Sequence, residues 1–533
     1  MDALTEVPLS IHAPQATTVE VCTDGGRMPL EMINGRWQGC LRAPLGSLYW
    51  LSVDGGEALV DPSTRRVTWT SDGPRAVVAG PWPKQDQLGF HHHLPVIYEM
   101  HVKGFGGSFA GVIERLDYLV ELGVDVIELM PVHPFDTSDN YWGYMPVVWG
   151  AVHQPFARGD DAVAELAELV SAAHRCGIEV WVDIVLNHTG EGGPPSPAWT
   201  LRGLDPHGCY RFNDDGTYNN ASGTGNTVDP RSPEIRRLIF QCLNRYADLG
   251  IDGFRFDLAS ILTTDGGELV EQIAQWAMYR DISLVAEAWD MDRYMVGSAT
   301  WPAHWRQWND RFREDVRSFV QSTPGMANAV AARLNGSHDI FGLGGWFTSV
   351  NFVTAHDGMT MHDLFAYDDH RHKARCFPEF QRLQQLKNAF TMLLMSAGPA
   401  MFVMGDEIGR TQHGNPNPYN LDTELSWMDW ERAKNWASLR SFVVRLIELR
   451  HRHPIQTVTI VGHERHPDQR DHSLTMAWRT NDLYVMVNMS SEPLAFTLPA
   501  AERWMLAAWS MPPEDLTLAP LSCAVWERRP TPA

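Results

Sequence analysis

Cysteine is sparse in this chain and carries no pattern. Seven cysteines are scattered over 533 residues and never form a C-x-x-C pair, so neither a zinc site nor a disulfide framework is expected, and reduced thiols in a cytoplasm fit best. Basic residues are outnumbered, 43 Lys and Arg against 65 Asp and Glu, which leaves a formal charge of -22. Such a field repels phosphate backbones and anionic membranes; nucleic acid is thereby disfavoured as a partner, and a neutral ligand suits the chain. Nowhere do 18 apolar residues stand together, so no membrane-spanning helix is expected. The opening MDALTEVPLSIHAPQ lacks a basic stretch followed by an apolar run, and no secretory leader is expected. No internal repeat or low-complexity tract stands out. What is present is an ordinary globular composition, 44% hydrophobic and 20% charged, with room for two to four domains at about 150 residues each.

The rhythm of the chain changes twice. Residues 1–88 alternate apolar and polar positions in short bursts such as GSLYWLSVDG, separated by Gly, Asp and Pro, which predicts a small antiparallel β-sandwich. From Val96 short apolar strands alternate with helical patterns. In the first cycle Ile113, Leu116 and Val120 stand at helical spacing before Gly123; in the next helix Val163, Leu166, Val170 and Ala173 share a face. Counting VIYEMHV, VDVIELMPV, IEVWVDIVLNH, GFRFDLA, SLVAEAW, WRQWN, VNFVTAHD and AMFVMGDE gives eight strands, the number that closes a (β/α)8 TIM barrel over residues 89–454. Residues 188 to about 230 hold much Gly, Pro and Asn without periodicity and are expected to be an insertion after strand 3. From 455 to 533 the pattern returns to short alternating strands, an antiparallel C-terminal β-sandwich.

Barrel active sites lie where the strands end, and several of these strands end on acids or imidazoles. They are Asp183, Asn187 and His188 in VDIVLNH, Arg255 and Asp257 in GFRFD, Glu287 in LVAEAW, and His356 with Asp357 in VTAHD. Paired carboxyl groups are what cleavage of an acetal requires: one attacks the anomeric carbon or activates water, the other protonates the departing oxygen. Arg255 stands two residues before Asp257, hence on the same side of a strand, where it would hold that carboxylate ionised. Glu287 lies between Ala286 and Ala288 beside Trp289, an apolar setting expected to raise its pKa toward that of a general acid. The HHH at 91–93 falls in the linker, and no metal site is assigned to it.

VDIVLNH (182–188), GFRFDLAS (253–260), LVAEAWD (284–290) and VNFVTAHD (350–357) together resemble the four signature segments of the α-amylase superfamily of glycoside hydrolases, family 13. The resemblance covers nearly the whole chain from Val96. It implies that Asp257 is the nucleophile, Glu287 the general acid/base and Asp357 a third carboxylate that binds sugar hydroxyls. It further implies substrate contacts from His188 and His356, with Arg255 orienting Asp257, and Tyr144 in NYWGYM stacking beneath the sugar; Asp183 and Trp289 complete the expected substrate-binding set. Five tryptophans (Trp142, Trp289, Trp305, Trp308 and Trp427) are read as lying in loops after strands. No cofactor is expected.

Within the superfamily, WPAHWRQWNDRFREDVRSFV and GDEIGRTQHGNPNPYNLDTELSWMDW resemble isoamylases and bacterial glycogen debranching enzymes. That likeness implies retaining hydrolysis of α-1,6 branch linkages, with glycogen or branched maltooligosaccharides as the partner. The N-terminal sandwich would correspond to the carbohydrate-binding-module-like domain of that group. After HRHKAR those enzymes carry a long polar loop, whereas here CFPEFQRLQQLKNAF follows at once, so branch length is left open. IERLDYLVELGVDVIELMPV also resembles maltooligosyltrehalose trehalohydrolase, an α-1,4-acting enzyme. Transglycosylation and an inactive glucan-binding protein are the remaining alternatives.

Overall fold

The computed structural model describes residues 4–89, 91–461, 473–499 and 502–529; the rest of the expected 1–88 and 455–533 segments lies outside the described residues. Eight parallel strands close into a barrel in chain order: Val96–Met100, Val126–Leu129, Glu179–Ile184, Gly253–Phe256, Ser283–Ala286, Trp305–Asn309, Ser349–Phe352 and Ala400–Val403, here barrel strands 1 to 8. Every residue of each is buried, as expected where a parallel sheet is covered on both faces. These are the eight strands expected from the sequence. Trp305 and Trp308, read both as part of the WRQWN strand and among the loop tryptophans, are buried within strand 6.

The chain divides into two compact units, one of residues 1–91, 101–114 and 129–305, the other of 92–100, 115–128 and 306–533. The first holds strands 3 to 5 and two antiparallel sheets, one of three strands and one built from five strands with a sixth, short one on its flank. Ile11, Val21, Trp37, Tyr49 and Leu51 form the core of those sheets. Register matters most between strands 3, 4 and 5: Asp183 lies beside Arg255, and Phe256 beside Ala286. The next residues, Asp257 and Glu287, therefore leave the sheet together. The segment after strand 3 is ordered around one acid. Buried Glu191 accepts from the Tyr210 hydroxyl (2.5 Å), the Thr189 hydroxyl (3.2 Å) and the backbone N–H groups of Trp199 (2.9 Å), Thr200 (3.0 Å) and Arg202 (3.0 Å).

One expectation needs correcting. The helical spacing of Ile113, Leu116 and Val120 is split over two short helices, Phe109–Ile113 and Leu116–Leu122, after a third, Val102–Gly106, and Val120 is exposed. The break falls between Ile113 and Leu116, where Arg115 takes φ -116° and ψ 9° and starts the next helix without a side-chain cap, so the helical period is interrupted inside the stretch where it was read.

The second unit contains strands 1 and 6 to 8 and a five-stranded antiparallel sheet that starts at Thr459–Val461 and includes Ser522–Arg528. Tyr484, Met486, Phe496 and Trp526 form its core. Past strand 8, buried Glu407 accepts from the hydroxyls of Tyr98 (3.0 Å) and Tyr118 (2.6 Å) and from the Gly405 N–H (3.0 Å). Burial outweighs these donors and lifts its carboxyl from 4.5 to about 7. A raised folded pKa means that the folded state holds the proton more tightly, so this contribution is fully present below pH 4.5 and is lost as pH climbs through 7. We expect about 3 kcal/mol of stability to disappear across that window. Glu407→Gln should flatten the profile, measured as urea unfolding at pH 5 and pH 8; a wild-type slope retained in that variant would rule out Glu407 as the source.

Candidate functional site

Strand register builds the first cluster. Arg255, at 1% exposure, points one guanidinium at three carboxylates: Nη1 lies 2.7 Å from Asp183 and 3.4 Å from Asp257, and Nη2 lies 2.8 Å from Glu287. Burial opposes the charge on Arg255, but Asp183 and Glu287 outweigh it and hold the pKa well above the ordinary value. Asp183 is equally closed off at 1%, whereas the side chains of Asp257 and Glu287 are 12% and 13% exposed. The two acids that can meet a ligand thus rest on a charged pair that cannot. Asn187 adds a second support, donating from Nδ2 to both the carbonyl and the carboxylate of Asp257 at 2.8 Å.

Glu287 is not in the apolar setting its neighbours suggested. Besides Arg255, the Leu258 N–H donates to the same carboxylate oxygen at 2.9 Å. Leu258 does so from the left-handed region, φ 39° and ψ 47°, a conformation disfavoured for a branched side chain and common at functional turns. The strand-5 loop is fixed in turn by buried Asp290, which accepts from the Ser260 hydroxyl at 2.6 Å.

Tyr144 donates its hydroxyl to Asp183 at 2.5 Å, and its ring lies under the Arg255 guanidinium, 6.0 Å from centroid to carbon. The preceding Gly143 sits at φ 98° with a Cβ position only 2.9 Å from the Pro131 carbonyl, so the turn that presents Tyr144 has no room for a side chain there. His188 is buried, its Nε2 bonded to the Tyr144 carbonyl at 2.8 Å and its Nδ1 2.6 Å from the Asn187 side chain; burial lowers its pKa to about 4. Asp183, Arg255 and His188, expected to meet substrate, are each 1% exposed, and Arg255 is the one that contacts both Asp257 and Glu287. Trp289 is half-buried and pairs across a turn with Tyr294.

In the second unit His356 and Asp357 follow strand 7. Glu99, from strand 1, accepts from the His356 N–H (2.8 Å) and Nδ1–H (2.7 Å). Arg313, on the helix after strand 6, is half-buried, which opposes its charge; nearby Asp357 and Glu314 hold its pKa above the ordinary value. Asn187 and Glu99 carry structural duties that sequence reading did not assign. His91 bonds Glu179 at 2.9 Å, and His92 faces Asp125 at 3.4 Å. Among the described residues no group of three or more His, Cys, Asp or Glu side chains is arranged to hold a metal ion, and no helix is long and apolar enough to cross a membrane.

Comparison with known proteins places this arrangement. Residues 68–193 match the α-amylase catalytic domain model. A glycogen operon protein GlgX homologue of Haemophilus influenzae is 30% identical over 503 residues, covering 80% of this chain and 76% of that protein. A glycogen debranching enzyme of Pectobacterium carotovorum is 34% identical over 414 residues, 67% of this chain and 62% of its own length. The chain spans 59% of the mycobacterial GlgX homologues it also matches. A pullulanase of Anoxybacillus complexed with maltotriose superposes with a TM-score of 0.84 at 22% identity, covering 99% of this chain and 86% of that one, which is a likeness of fold. On the strength of the Haemophilus relative and the barrel, the chain belongs to the α-amylase family of glycoside hydrolases, in the group of the GlgX homologues.

Proposed function

We propose that this protein is a retaining glycoside hydrolase that cleaves α-1,6 branch linkages of glycogen or a related α-glucan. The observation that carries the chemistry is the pair of partly exposed acids, Asp257 and Glu287, resting on one buried guanidinium. Bridging by a single Arg255 favours a short separation, near the roughly 5 to 5.5 Å of a retaining pair and below the roughly 6.5 to 9.5 Å that admits a water between inverting acids. Asp257 attacks the anomeric carbon and becomes the covalent glycosyl-enzyme; Glu287 protonates the departing oxygen and then draws a proton from water. Glu287 already accepts two hydrogen bonds at Oε2, so the transferable proton is carried on Oε1. Carboxylates outnumber the one guanidinium, which favours the positive charge that develops on the sugar ring.

Asp357 is the third acid and, with His356, Tyr144 and Trp289, contacts the sugar, while Asp183, Arg255 and His188 position the pair. The choice of linkage rests on kinship with the debranching enzyme of Pectobacterium and on the segments after strands 6 and 8 that resemble that group. A 6-linked leaving chain departs at a different angle from a 4-linked one, so the walls of a cleft can select between them. The protein works in the cytoplasm, and its three-part division at about residues 88 and 454 is part of this reading. Incubation with amylopectin should release linear maltooligosaccharides while amylose is scarcely shortened, read by chromatography of the products. Rapid shortening of amylose, or trehalose freed from maltooligosyl trehalose without debranching, would move the assignment to an α-1,4-acting enzyme.

A further inference from the structure

The loop that presents His356 and Asp357 has no regular structure between the end of strand 7 at Phe352 and the short helix at Asp363–Ala366, yet it is gripped by two buried acids. At its far side Asp406, fully buried, accepts from the Thr354 hydroxyl and from the Met361 N–H (3.0 Å). At its centre Glu99, 1% exposed, spends one carboxylate oxygen on the His356 backbone N–H (2.8 Å) and the other on the His356 Nδ1–H (2.7 Å). Holding backbone and ring of one residue at once fixes where the chain turns and which way the imidazole faces. The residue so fixed immediately precedes Asp357. A carboxylate is the side chain that suits two donors, because the amide of glutamine would offer one of them an N–H instead of an oxygen.

We infer that Glu99 is a positioning residue for the reaction: its bidentate hold on His356 sets the imidazole, and with it the adjoining Asp357, in the geometry that the transition state requires. The inference deepens the functional reading above and rests on it, since it presumes that His356 and Asp357 serve the chemistry. Misplacement of about 1 Å at a reacting centre is enough to cost two orders of magnitude in rate. A purely structural ion pair would instead lower stability and leave the rate per folded molecule alone.

The test is a double-mutant cycle on amylopectin with wild type, Glu99→Gln, His356→Ala and the double variant, each checked for folding by circular dichroism and thermal unfolding. Glu99→Gln should lower kcat by about 30- to 100-fold with KM within about threefold of wild type, and the double variant should lie no more than about threefold below His356→Ala alone, as for residues acting as one unit. A folded Glu99→Gln protein within about threefold of wild-type kcat, or losses that multiply in the double variant, would overturn the inference. If Glu99→Gln does not fold, Glu99→Asp, which keeps both acceptors but withdraws them by one methylene, takes its place in the cycle. Asp257→Ala run alongside separates the two claims: activity surviving there is a failure of the functional reading, whereas an inactive Asp257→Ala beside an unaffected Glu99 variant is a failure of this one alone.

Discussion

Asp257→Ala should reduce turnover on amylopectin by about four orders of magnitude or more while leaving the barrel folded, because no other group can form the covalent intermediate. Glu287→Gln should lose roughly 10²- to 10⁴-fold, the usual worth of a positioned general acid. The structure makes the folding half of this expectation specific. Asp257 and Glu287 are the solvent-reachable members of a cluster in which three carboxylates share one guanidinium, so removing a charge relieves repulsion among the acids. Thermal unfolding of Asp257→Ala should therefore occur no lower than in wild type. Near-normal kcat in either folded variant would remove that acid from the mechanism, and a β-anomer as the first product by NMR would remove retention.

Arg255→Met should be the most damaging single substitution for stability, and should lower the rate as well. It leaves Asp183 buried at 1% exposure beside two further acids with their common counter-charge gone, and breaking a buried ion pair from one side destabilises by about 3 to 5 kcal/mol. Arg255→Lys is no remedy, since a single ammonium cannot span Asp183, Asp257 and Glu287 as a planar fork does. Adding Asp183→Asn should recover part of the stability of Arg255→Met by removing the most deeply buried charge, without restoring turnover. Urea midpoints for the single and double variants measure this directly, and an Arg255→Met protein as stable as wild type would refute the account.

The strands were legible because parallel strands covered on both faces read as unbroken apolar runs, and the acids that close those runs stand out against them. That is why Asp257, Glu287 and Asp357 could be picked out as candidates, and why Arg255 could be paired with Asp257 from two-residue spacing alone. What could not be read was lateral. Arg255 meets Asp183 and Glu287 across strand register, 72 and 32 residues away; Asn187 reaches Asp257 over 70 residues; Glu99 reaches His356 over 257. Local sequence around Glu287 is apolar, and so suggested an apolar pocket; its actual surroundings are set by neighbours on other strands. Helical spacing near Val120 misled for the opposite reason, because the backbone leaves the helical path at Arg115 and a new helix starts at Leu116.

The hold of Glu191 on the segment beyond strand 3 has a bearing on how sequences of this kind can vary. One carboxylate organises three backbone amides and two hydroxyls spread from Thr189 to Tyr210, so much of the order of that stretch hangs on a single position. Residues between those anchor points whose side chains face solvent, such as the exposed Pro195 and Pro197, can vary at little cost. Position 191 cannot: losing its charge would orphan several buried donors together, and the segment would become the first point of entry for a protease rather than a wall of the domain.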